Sequence, residues 1–117
     1  MDDAEYRRLC SQPDVMRRTE IRATLTRLTK SRPDLAERLE ALLQSAPIPK
    51  PPGHDAGADT DYLAIHLTED EIEAIVDALG DLESALALDG HHDQASAAGM
   101  LLDRWNAAES ANRTRHN

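Results

Sequence analysis

A chain of 117 residues is one ordinary domain or less. With no Phe, one Trp and two Tyr, its core has to come from Leu, Ile, Val, Met and Ala, a composition that favours helix over sheet. The single cysteine, Cys10, excludes an internal disulfide framework, and the net charge of −9 argues against direct binding of nucleic acid.

The chain opens Met1-Asp2-Asp3-Ala4-Glu5, without the basic start and apolar run of a secretory signal. No stretch approaches the roughly 18 to 20 apolar residues of a membrane span. A cytoplasmic protein with no membrane partner is therefore expected. Arginine far outnumbers lysine and alanine is abundant, which is a compositional hint of a bacterium or phage.

The first predicted element is a short helix over residues 2–11, capped by Asp2 or Asp3, with Tyr6 and Leu9 inward. Ser11-Gln12-Pro13-Asp14 then reads as a new helix start: a capping Ser, Pro in the first turn and an acid at the positive end of the dipole. That helix is expected to reach about Lys30, with Ile21, Leu25 and Leu28 forming its inner stripe and Val15 and Met16 beside it. Ser31-Arg32-Pro33-Asp34 repeats the start signal. Leu35, Leu39, Leu42 and Leu43 follow at helical spacing, so a hairpin over about 12–45 is predicted.

Residues 46–61 contain Pro47, Pro49, Pro51 and Pro52, followed by Gly and Asp, and read as a linker. Tyr62–Leu67 alternates Leu63, Ile65 and Leu67 with polar or small neighbours and is the one strand-like segment. Thr68 and Glu71 form a capping box. A helix over 69–88 follows, with Ile72, Ile75, Val76, Leu79, Leu82 and Leu86 on one face. Asp89-Gly90 stops it. A last helix over about 92–110 carries Ala95, Ala98, Leu101, Leu102 and Trp105, with Gly99 allowing close packing, and residues 111–117 are expected to fray. The fold class is all-α: two helical hairpins, about 12–45 and 69–110, packed as a small bundle. The domain reading is a mildly basic hairpin over 1–45, the linker, and an acidic hairpin over 62–117.

Charge is distributed unevenly. Residues 1–50 hold ten Lys or Arg and eight Asp or Glu, a net of +2, whereas residues 51–117 hold three and fourteen, a net of −11. On the helix from Glu69, the acids Asp70, Glu73, Asp77 and Asp81 fall at i, i+3, i+7 and i+11, a stripe about 16 Å long opposite the apolar face. Like charges at i, i+4 cost a few tenths of a kcal/mol each. An ordinary solvated face would intersperse Lys, and here none appears. The stripe is either a solvated surface or a docking face for a basic partner, such as a nucleic-acid-binding protein, a nuclease or the chain's own Arg-bearing hairpin.

No catalytic motif stands out. His91-His92-Asp93, His54-Asp55 and His66 lack the spacing of zinc ligands, and no metal or other cofactor is expected. Asp93 is instead read as the cap of the last helix. Trp105 is assigned to the core. Arg17, Arg18, Arg22 and Arg27 raise a second reading, a DNA-associated regulator. The acids on helix 69–88 raise a third, a small helical metal-dependent hydrolase. The order of residues 62–110 resembles ribbon-helix-helix DNA-binding proteins in outline. However, Tyr62–Leu67 carries only His66 as a cation, and the helix from Glu69 is too long for that family. A homodimer paired through this strand is the alternative use for it. The leading expectation is a non-enzymatic protein–protein interaction module, an acidic inhibitor or immunity/antitoxin-type protein, binding a basic partner through Asp70, Glu73, Asp77 and Asp81.

Overall fold

In the computed structural model, which describes residues 2–53 and 61–116 with side chains through residue 111, helix α1 spans Asp3–Cys10. Asp2 caps it, its Oδ1 accepting the Glu5 N–H at 2.8 Å. Tyr6 is its one buried residue and meets Tyr62 edge to face at 6.3 Å. Ser11 ends this helix rather than starting the next: its N–H bonds back to Arg7 O.

The first departure from the sequence reading follows at once. Val15–Arg17 is a short strand, β1, not the first turn of a helix. It pairs antiparallel with β2, Tyr62–Ala64, in the register Val15↔Ala64, Met16↔Leu63 and Arg17↔Tyr62. Met16 and Leu63 are both fully buried, so this ribbon carries core side chains from two distant parts of the chain. Helix α2 therefore starts late and runs Arg18–Leu28. Glu20 accepts the Arg17 N–H at 3.3 Å, which satisfies one of the orphan donors at that end. The inner stripe of α2 is Ile21, Thr24 and Leu28, with Leu25 only partly buried.

Helix α3 spans Pro33–Leu43, with Pro at its first position. Its N-cap is Arg32, not Ser31. Arg32 makes no side-chain cap bond and instead clasps Asp34 through two hydrogen bonds of 3.2 and 3.1 Å. Helix α4 spans Glu69–Leu88, as expected, and its capping box is complete: Glu71 N–H donates to Thr68 Oγ1 at 3.2 Å and Thr68 N–H to Glu71 Oε1 at 3.1 Å. Gly90, at φ +83°, closes it. Gly90 N–H bonds Ala87 O and His91 N–H bonds Leu86 O, a left-handed cap that a side chain would strain. Helix α5 spans His92–His116, so Asp93 lies in its first turn rather than at its cap. The backbone of α5 is helical through residue 116.

The architecture is all-α apart from the two-stranded ribbon. The α2/α3 and α4/α5 hairpins share one apolar cluster: Ile21 and Leu28 meet Leu35, Leu39 and Leu42, then Ile72, Ile75 and Leu79, with Leu101 and Trp105 closing it. The second hairpin is the longer one, and its far end, with Leu88 exposed, reaches past this cluster. At Gly99 the nearest group across the hairpin is the carboxylate of Glu83, the end of a flexible side chain and not the α4 backbone.

Polar contacts tie the ribbon to the helices. Arg104 on α5 donates to Pro13 O at 2.9 Å and also to Val15 O. Asp61, just before β2, is held between Lys50 Nζ at 3.0 Å and Arg18 Nε at 3.5 Å, while Arg18 also donates to Leu43 O. Tyr62 O accepts the Ile48 N–H at 2.8 Å, which binds the start of the Pro-rich segment to the outer edge of β2. Residues 54–60, including His54 and Asp55, lie outside the described residues.

Candidate functional site

Helix α4 buries Ile72, Ile75 and Leu79 and leaves the opposite face in water. A 3.6-residue turn therefore places Asp70, Glu73, Asp77 and Asp81 outward, and all four are exposed. Among the described residues, none of the four pairs with a cation within 4 Å. The contrast with Glu71 is instructive. One residue from Asp70 and turned inward, Glu71 takes Arg38 Nε on Oε2 at 2.5 Å and Thr68 N–H on Oε1. The Arg38 hydrogen bond, foremost, holds the Glu71 carboxyl below the usual carboxylate range. The first hairpin thus meets α4 electrostatically through Glu71 and leaves the stripe uncovered.

The arginines considered for nucleic acid do not form a common patch. Arg17 Nε donates to the Tyr62 hydroxyl at 3.0 Å and its guanidinium lies 5.6 Å from the centre of that ring. Arg18 is directed into the Asp61 pair, and Arg27 donates to Ala23 O at 3.1 Å. Arg22 alone of the four is exposed with no partner among the described residues.

Cys10 is half-buried and its thiol is pushed up, chiefly by burial, which disfavours the nucleophilic thiolate. Its neighbour Tyr6 is raised to about 12, again mainly by burial and then by its hydrogen bond with Cys10. His66, His91 and His92 are exposed. Among the described residues no three metal-ligating side chains converge. No helix is long and apolar enough to cross a membrane among the same residues.

A second surface was not marked by the sequence. Between α2 and α5 runs an open groove of about 650 Å³. Ala23 and Ala97 help line it, and Met100 stands beside it with 74 % of its surface exposed. Spacing could not have revealed it, because its two walls come from helices some 80 residues apart.

Compared with family models, with curated proteins and with solved structures, the chain finds no match in any of the three.

Proposed function

We propose that the chain is a non-enzymatic protein–protein interaction module of acidic inhibitor, immunity or antitoxin type. It acts in the cytoplasm, in keeping with its bacterial or phage-like composition, and docks on a basic protein through the outward face of α4. The observation that carries this reading is that Asp70, Glu73, Asp77 and Asp81 share one exposed face with no cation within 4 Å among the described residues, while Glu71 is neutralised by Arg38 of the other hairpin. A row of uncompensated carboxylates attracts a cationic surface, raises the rate of encounter and repels nucleic acid. The reading gives the protein no catalytic residue and no cofactor. The engagement of Arg17 and Arg18 within the fold weighs against a DNA-associated regulator.

The test is capture of partners from native extracts with the wild-type chain and with the variant Asp70→Asn, Glu73→Gln, Asp77→Asn, Asp81→Asn. The expected result is a basic protein retained at low salt, released at high salt and lost with the variant. A partner bound equally by both chains, with an affinity indifferent to salt, overturns the reading.

A further inference from the structure

The α2/α5 groove is neutral in a strongly acidic molecule. Its rim carries two acids, Glu20 and Asp103, and two bases, Arg27 and Arg104, in a chain whose net charge is −9. Its interior is small and apolar: Ala23 on α2 faces Ala97 and Ala107 on α5, with Leu101 at the base. Met100, at 74 % exposure, projects beside this hollow as a flexible apolar side chain in water.

We infer that this groove is the surface through which two copies of the chain associate. A two-fold interface uses one patch twice, so the patch has to complement itself. This one does so in shape and in charge. Met100 supplies a projection and the alanines a hollow, so each copy can seat its methionine in the groove of the other. Arg27 and Asp103 lie on opposite walls, so a two-fold rotation brings Arg27 of one copy to Asp103 of the second, and the reverse. The acidic half of the chain, residues 51–117 with a net of −11, repels its own copy, and this patch avoids that penalty. The guanidinium groups are already oriented by main-chain carbonyls, Arg27 by Ala23 O at 3.1 Å and Arg104 by Pro13 O at 2.9 Å, which reduces the ordering cost of a contact. No residue of the groove belongs to α4, so the acidic face stays open in the dimer and the inference does not depend on the function proposed above.

Sedimentation equilibrium of the full chain, up to about 1 mM, tests it. A concentration-dependent monomer–dimer equilibrium is expected. Met100→Glu places a third carboxylate beside Glu20 and Asp103 and weakens association at least about tenfold, with helix content unchanged because the position is exposed. Arg27→Glu and Asp103→Arg each weaken it alone, and an equimolar mixture of those two variants restores a mixed dimer. A chain that stays monomeric at about 1 mM overturns the inference, as does a dimer that Met100→Glu leaves intact.

Discussion

The indole Nε1–H of Trp105 donates a 3.0 Å hydrogen bond to Oγ1 of Thr24, 81 residues earlier in the chain. Both side chains are fully buried, and the threonine hydroxyl itself donates to Glu20 O at 2.9 Å. A buried indole N–H without an acceptor costs its full desolvation. The polar tip of the largest core side chain therefore fixes which face of α5 meets α2. Thr24→Val keeps the shape and removes the acceptor, and we expect it to lower stability by about 1–3 kcal/mol. Thr24→Ser, which keeps the acceptor, is expected to cost less. Urea denaturation followed by the fluorescence of the single Trp measures both, and a Val variant within about 0.5 kcal/mol of wild type would contradict the role given to this bond.

Met16 and Leu63 face each other across the β1–β2 pair, and neither has any surface in water. Met16→Ala removes most of a buried side chain at the centre of the shared core. The expected loss is about 2–5 kcal/mol, the range for truncating a large aliphatic side chain in a packed interior. Substitution at Arg17, which is exposed, is expected to change stability far less. If residues 15–17 were instead a solvated first turn of helix, the two substitutions would differ little in a thermal melt.

Helix α4 was legible to the residue because its signals are local: Thr68 and Glu71 cap each other, Asp89-Gly90 stops the helix, and the apolar period between them is unbroken. The direction of Asp70, Glu73, Asp77 and Asp81 followed from the same period. β1 was not legible. Val15 and Met16 follow a proline, as the first turn of a helix often does, and what makes them extended is a partner strand beginning 45 residues after β1 ends. Thr24 was hidden for a similar reason: a threonine on the inner face reads as polar until Trp105 supplies its hydrogen bond. Local chemistry wrote the helices of this protein. Long-range pairing wrote the ribbon and the groove.

Asp61 gives the fold a dependence on pH. Its carboxyl is held below the usual carboxylate range, first by the hydrogen bond from Lys50 and then by the charges of Lys50 and Arg18. Because the folded value lies below the unfolded one, about 3.9, the stabilisation is complete above that pH and is lost as the pH falls through the folded value. Asp61→Asn is therefore expected to be less stable than wild type at pH 7 and to show a shallower loss of stability on acidification. The two proteins should converge once the pH has fallen below the folded value. Urea midpoints measured across this range check it, and parallel curves would show that Asp61 is not responsible for the slope.

The acidic stripe is placed where it lowers the stability of its own helix. Glu73–Asp77 and Asp77–Asp81 are like charges four residues apart on the exposed face of α4, and each such pair costs a few tenths of a kcal/mol. Asp70 differs from the others, since the positive end of the helix dipole favours it. Replacing Glu73, Asp77 and Asp81 with Gln, Asn and Asn is thus expected to stabilise the protein slightly, by less than about 1 kcal/mol, while it weakens capture of a basic partner. Asp70→Asn alone should reduce binding without that gain in stability. The opposing signs separate docking from mere solvation. A face selected only to keep the chain in solution would lose solubility on neutralisation and show no partner-dependent effect. A docking face loses its partner while the fold becomes firmer, which thermal denaturation and a salt-dependent binding titration on the same variants would show together.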